Sequence, residues 1–517
     1  MSLLCLFSKI CSKPTLASTR PSKTSHNFSS LPANVDNIAP KLHIVHWKTT
    51  PDRGIVGLKP PLPLLTSQAN NLHHNKHHLV ATFVDENTPA KNVQSVLSRN
   101  GNEDDVGDVH VVVYEGRKFG RAQQFVSSVR RRLREQFFLE MAKEEMIRNM
   151  DDLSVGEQWK YYRKQKEIEA DQLNRILIQV QSNHQLSNNF LGETDAKKSK
   201  QNRTRWSTKS NTSKGRKSNK IDTYIQTILQ RVNGNQIGSY LVPIREISSR
   251  IGADQWYEKG VPVHLLDGCG DGKIHPHYNV YPPTRQEYLN LLCVPDDTNP
   301  LVQNNNSAVV MDVGCGTGIL SAILLHRHKN ASAILTDISP LAVDCASDNL
   351  TRLGLMDRVR GIHLTDQLLA DAEADLIVCN PPWIPGKVAN QSVECGNWLE
   401  KAIYDDVNST MLFGFLRGVS RHMRINHSAK TGDRQSESWL IISDLAERLQ
   451  LRSREELLQT IDDGGLEITE VRKAVPTVAQ RKRVEHVKRR RKEVIFPKVE
   501  AARQAEVTYL FRLRRQR

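Results

Sequence analysis

The stretch Val310-Met311-Asp312-Val313-Gly314-Cys315-Gly316-Thr317-Gly318 closes an apolar run and opens a helical pattern. Glycines in that position let backbone approach a ligand closely, and the start of a helix offers free N–H groups. The spacing is G-x-G-x-G, not the G-x-G-x-x-G of dinucleotide loops. With Asp312 on the ligand side, it suits a cofactor bearing an amino acid better than a pyrophosphate. A carboxylate repels phosphate, but it accepts hydrogen bonds from an ammonium group. Taken alone, the loop is equally readable as a tight turn. Asp337 ends the next apolar run, 19 residues past Gly318, where an acid can accept both hydroxyls of a ribose. Asp366 ends the third run, where it can accept an adenine amino group. Each acid by itself reads as a surface residue; three at successive strand ends form a pattern.

A fourth apolar run ends in Asn380-Pro381-Pro382-Trp383. Two prolines make a rigid turn and remove backbone donors, which leaves carbonyl oxygens to face a ligand. The Asn380 side-chain oxygen and the Pro381 carbonyl can accept both protons of a planar NH2 group. Two acceptors on one amino nitrogen push its lone pair out of conjugation and toward an electrophile. Trp383 offers a stacking face, worth about 1–3 kcal/mol for a nucleic-acid base. A proline-stiffened loop without chemistry would account for Asn-Pro-Pro-Trp alone, but not for its place after the glycine loop.

Together these residues resemble a class I S-adenosylmethionine-dependent methyltransferase of the small-domain, N-P-P-[YFW] type, over roughly Ile274 to Arg517. The resemblance implies S-adenosyl-L-methionine as cofactor, with Asp312, Gly314, Gly316 and Gly318 around its methionine part. It implies Asp337 on the ribose, Asp366 on the adenine, and Asn380, Pro381, Pro382 and Trp383 around the target nitrogen. Tyr281-Pro282-Pro283-Thr284-Arg285-Gln286-Glu287 is similar to the segment entering this fold in glutamine methyltransferases of the HemK type. Those enzymes most often carry Tyr where Trp383 stands, and amino-methylating RNA enzymes usually carry Phe.

The elements that must hold these residues are short. Val309–Asp312, Ala333–Thr336, Val359–Leu364 and Leu376–Cys379 read as buried parallel strands. Trp439–Ser443, Leu466–Val471 and Val507–Leu513 supply three more. Helices fit at Gly318–His328 and Pro340–Leu353, the second with Ser339 as N-cap and Gly354 as its stop. The fold class is α/β: a doubly wound seven-stranded, Rossmann-like C-terminal domain over 301–517. Before it come a lead-in over 221–300 and a helical, partly disordered N-terminal half. Within that half, residues 36–191 show no sustained period until about 121. From there Phe125, Val129, Leu133 and Phe137 recur at steps of four, the stripe of a helix packed on another domain. Residues 192–220 carry ten Lys and Arg among Ser, Thr, Asn and Gly, and read as a basic disordered linker.

The net charge of +15 is unevenly placed. Between Arg472 and Arg517 there are 16 Lys and Arg against four Glu, whereas Leu301–Val471 holds 15 basic against 23 acidic residues. An acidic core thus carries a basic insertion at about 476–503, with Arg481-Lys482-Arg483 and Lys488-Arg489-Arg490-Arg491-Lys492, fit for a polyanion or for a nuclear address. Residues 1–35 hold Lys9, Lys13, Arg20 and Lys23, eleven Ser and Thr and no acid. That composition reads as a transit peptide for mitochondrion or plastid, with nucleus or cytoplasm as the alternative. Eight cysteines without a C-x-x-C pair exclude a disulfide scaffold and a zinc ribbon, and His73-His74-Asn75-Lys76-His77-His78 reads as a solvated loop, so no metal is expected. No apolar run is long enough to cross a membrane.

The expected function is N-methylation of a planar amino group, first of a base in structured, ribosomal RNA. A protein glutamine, on a ribosome-associated partner, is the alternative. The third reading is a non-catalytic RNA-binding assembly factor on a methyltransferase scaffold. The glycine spacing speaks against an NAD oxidoreductase.

Overall fold

A computed structural model describes residues 78–84, 88–98, 108–115, 119–143, 150–180, 224–227, 229, 240–295, 298–303, 307–365, 368, 372–386, 398–425, 436–475 and 496–516. Residues 1–35, the histidine cluster up to His77, the 192–220 linker, Asp366 and the basic runs Arg481–Arg483 and Lys488–Lys492 lie outside them. The described residues fall into two compact units.

The first unit holds a four-stranded sheet in the order β1 (His78–Val84), β2 (Asp108–Tyr114), β3 (Ile176–Val180), β4 (Tyr240–Pro243). The first three strands run parallel and β4 antiparallel. Helices α1 (Ala90–Leu97) and α2 (Phe119–Lys143) follow β1 and β2. The α2 stripe lies as its spacing predicts, with Phe125, Val129, Leu133 and Phe137 all buried. The helix was expected to pack on another domain; instead Phe125, Val129 and Leu133 join Val112, Tyr114, Ile176 and Ile178 in the core of this sheet's own unit. The sheet corrects the expectation of a helical N-terminal half. His110 to Tyr114 is buried at every position, so β2 shows no inside–outside alternation from which a strand could be read.

The second unit comprises Met141–Lys166, Ala253–Gln391 and Gly396–Arg517. Its sheet contains β5 (Val309–Val313), β6 (Ser332–Asp337), β7 (Val359–Leu364), β8 (Leu376–Cys379), β9 (Glu437–Ser443), β10 (Leu466–Ala474) and β11 (Thr508–Arg515). The spatial order is β10-β11-β9-β8-β5-β6-β7, with β11 antiparallel to both of its neighbours. Chain order reverses beside β5, between β6 and β8, and open α/β sheets bind ligands in the crevice at such a point. Helix α5 (Ile319–Arg327) follows β5, and its first seven residues are buried, which explains an apolar helix with no polar face. Helix α6 (Pro340–Arg352) starts as expected, with Ser339 Oγ accepting from Ala342 N. The expected lead-in of 221–300 is divided: its residues up to Gly252, with β4, belong to the first unit, whereas Tyr288, Leu289 and Leu292 share a core with Val310 and Leu320 in this one.

Residues from the N-terminal half also belong here. The first part of α3 (Val155–Asn174) lies against α9 (Pro497–Gln504), the helix at the end of the expected insertion. Lys498 N donates to Gln158 Oε1, Arg503 Nη1 donates to Tyr162 Oη at 3.1 Å, and Arg163 lies 4.0 Å over the Tyr404 ring. At the other side of the sheet Glu437, fully buried, accepts from Trp439 Nε1, from two nitrogens of Arg512 and from Arg514. A buried carboxylate with this many donors ties β9 to β11, and removing it leaves the buried Arg512 charge with only the half-exposed Glu470 as its counter-ion. Glu437→Leu is expected to lower stability by about 3–5 kcal/mol, read as a fall in the urea midpoint at unchanged slope.

Candidate active site

Strand register brings the expected residues to one level. Leu335 and Val378 are the Cα partners of Asp312, and Thr336 and Cys379 those of Val313. Gly314, Asp337 and Asn380 therefore leave three adjacent parallel strands side by side. Leu364 pairs with Asp337, and Thr365 N donates to Asp337 O, so β7 ends at the same rim.

The glycine loop is pinned from below. The N–H groups of Gly314 and Cys315 both donate to Thr336 O, at 2.9 and 3.0 Å. Asp337 Oδ2 accepts from Gly316 N at 2.9 Å and its Oδ1 from Ser339 N at 2.8 Å. Gly316 has φ +54 and nothing within 4 Å of where a Cβ would stand. The backbone there needs glycine for its conformation and faces open space. Gly318, at φ +75, would place a Cβ 3.2 Å from Ala346 Cβ, so that glycine also lets α6 approach.

Asp312 is fully buried at the end of β5. Gly318, the N-cap of α5, has no side chain to cap the helix; Asp312 Oδ2 does so instead, accepting from Ser321 N and Ser321 Oγ. Its Oδ1 is buried without a partner. Burial pushes its pKa up to about 6, opposed by the Ser321 bonds and aided by the nearby Asp337 charge. Asp337 is likewise raised, by burial. A buried oxygen lacking a donor, beside a loop over open space, fits the ammonium and backbone-hugging methionine part of S-adenosylmethionine. The residues present fit that cofactor.

Asn380 to Trp383 form the turn after β8. Trp383 Nε1 donates to Asn380 Oδ1 at 2.9 Å. Tyr288 meets the indole edge-on at 6.2 Å, and the Arg285 guanidinium lies 5.4 Å from its ring centroid. After Trp383 the chain pairs Ile384–Pro385 with Tyr404–Asp405. Asp405 Oδ1 accepts from Asp406 N and Met411 N and its Oδ2 from Leu412 N, fixing the start of α7 (Thr410–Gly418). The Met411 methyl then stands 3.5 Å from the Cβ position of Gly314. Arg285, Tyr288, Asp405 and Met411 were not identified as site residues from sequence. Arg285 was visible only within the Tyr281–Glu287 resemblance, and no local pattern marks Met411.

Residues 298–402 match the family model for the methyltransferase small domain. Over 78 residues the chain is 41% identical to a release factor glutamine methyltransferase of Cereibacter sphaeroides, covering 15% of this chain and 28% of that one. It is 32% identical over 97 residues to a ribosomal RNA large subunit methyltransferase G of Shewanella amazonensis, covering 18% and 25%. It is 31% identical over 86 residues to a tRNA1(Val) (adenine(37)-N6)-methyltransferase of Aliivibrio salmonicida, covering 16% and 37%. The matched segments thus span well under half of these relatives. The C-terminal domain is a class I, S-adenosylmethionine-dependent methyltransferase domain.

The raised Asp312 pKa has a definite sign. An unfolded Asp titrates near 4 and the folded one near 6, so between these values the folded protein binds more protons. Stability therefore falls as pH rises from about 4 to about 6, by on the order of 2–3 kcal/mol from Asp312, with Asp337 adding in the same direction. Thermal melts across pH 4–7 should show this decline, and saturating S-adenosylmethionine should abolish most of it. Asp312→Asn should flatten the profile without the cofactor.

Proposed function

We propose that the protein transfers a methyl group from S-adenosylmethionine to a planar amino nitrogen, first of a base in structured RNA. The observation that carries the reaction type is the Asn380 amide oxygen beside the Pro381–Pro382 turn. It stands level with Gly314 and Asp337 across adjacent strands. Bound S-adenosylmethionine supplies a methyl on a sulfonium, an electrophile that needs no acid to activate it. Asp312 Oδ1 would hold the ammonium end, Gly314, Gly316 and Gly318 would admit the chain of the amino acid, and Asp337 would offer its remaining lone pairs to the ribose hydroxyls. Asp366 is assigned to the adenine on sequence alone. Asn380 Oδ1 and the Pro381 carbonyl would accept hydrogen bonds from the two amino N–H groups, freeing the nitrogen lone pair to take the methyl as the S–CH3 bond breaks; S-adenosylhomocysteine leaves and the methylated nitrogen gives up one proton to solvent. Trp383 lays its ring beside the acceptor. Support for RNA comes from the +15 net charge and its concentration after Arg472.

A protein glutamine is the second reading, favoured by the 41% identity to a protein named as a release factor glutamine methyltransferase. Its side-chain amide presents the same planar NH2 to the same two oxygens. Labelled S-adenosylmethionine, incubated with the protein and a cell extract, separates the readings. Label released as small fragments by ribonuclease supports RNA, and release by protease supports glutamine.

Two substitutions test the assigned roles. Asp337→Ala is expected to weaken S-adenosylmethionine binding by about 2–4 kcal/mol in calorimetry. Asn380→Ala is expected to leave that affinity near wild type while transfer falls about 10²-fold, because its oxygen acts chiefly in the transition state.

A further inference from the structure

Asn380 carries an oxygen and a nitrogen of nearly the same shape, and only the oxygen can accept from an amino group. A free amide in a turn flips between the two orientations. In this chain Pro381 and Pro382 set the turn so that Trp383 returns over Asn380, three residues on, and the indole N–H meets Oδ1 at 2.9 Å. Indole is a donor only. A flipped amide would set N–H against N–H and lose the bond. The orientation with oxygen at the indole is thereby selected, one of its lone pairs is occupied, and the direction of the other is set. A phenylalanine at 383 has no donor, and a tyrosine carries its hydroxyl at the far tip of the ring.

The ring itself is held in place. Arg285 lies near the indole as a cation over a π face. Its Nε donates to Glu287 Oε1 at 2.7 Å and its Nη1 to Glu506 Oε1 at 2.8 Å. Ser443 Oγ, at the end of β9, donates to the same Glu506 oxygen at 2.7 Å. Tyr288, three residues along, closes edge-on against the indole. Segment 285–288 and the strand end after β9 thus fix an indole that in turn fixes an amide.

We propose that Trp383 is a positioning residue for Asn380, holding its amide as an acceptor through the indole N–H, and that Arg285 holds Trp383 for this task. The proposal deepens, and rests on, the reading of Asn380 as the group that accepts the amino protons. The hydrogen bond can be tested without any acceptor. Full-length protein labelled with [¹⁵N]tryptophan has seven indole N–H signals, and Trp383→Phe assigns one by its loss. Asn380→Ala should move that signal upfield and speed its exchange with solvent, leaving the others in place. An unmoved Trp383 signal overturns the proposal.

The functional half is a double-mutant cycle on transfer of labelled methyl to extract at saturating S-adenosylmethionine. Trp383→Phe should cut the rate about 3- to 10-fold, the size of one hydrogen bond, with S-adenosylmethionine affinity unchanged. In an Asn380→Ala background the same change should cost nothing further. Arg285→Gln should reproduce a smaller part of the loss and also vanish in that background. Additive losses mean that the ring acts by stacking alone, and the proposal falls. Should the wild type label nothing in the extract, the proposed function falls, while the indole signal still decides the bond.

Discussion

Both oxygens of the Asp337 carboxylate are engaged by backbone before any ligand arrives. One accepts from Gly316 in the loop after β5, the other from Ser339 at the start of α6. Each oxygen keeps a second lone pair. The same carboxylate that shapes the floor of the crevice is thus still able to receive hydroxyl groups from above. Charge makes this arrangement work: hydrogen bonds to an ionised acceptor are about twice as strong as neutral ones, and they offset the burial that pushes the Asp337 pKa upward. The glycine loop and the helix entry both take their places from this one group.

The opposing wall is built on a different principle. Around Asn380 there are few free charges; orientation comes from two prolines, an indole and an arginine locked between Glu287 and Glu506. A neutral amide oxygen can accept from an amino group and release the product without leaving a charge behind. The site thus divides into a charged half suited to a zwitterionic cofactor and a neutral half suited to a weakly nucleophilic nitrogen.

What the sequence disclosed follows this division. Asp312, the three glycines and Asp337 sit within a span of 26 residues between recognisable apolar runs, so strand ends and acids could be read together. All seven strands of the second sheet were legible because turns and helix caps such as Ser339 and Gly354 punctuate them. The sheet of the first unit was not: β2, although flanked by Gly107 and Gly116, is buried continuously from His110 to Tyr114, without alternation. Trp383 was legible as a ring but not as a donor to Asn380, because the bond depends on how the turn closes. The Arg285–Glu506 pair spans 221 residues, a separation that no local pattern encodes.

The position of β11 has a consequence for how the molecule is made. The strand formed by Thr508–Arg515 is inserted between β9 and β10, bonded to both. Until those residues leave the ribosome, β9 has an open edge and β10 has no partner in the sheet. The buried Glu437, too, waits for Arg512 and Arg514, some 75 residues later. During synthesis the half-built sheet therefore exposes two strand edges, the kind of surface to which other chains pair. Slow closure of such long-range contacts is intrinsic to the topology.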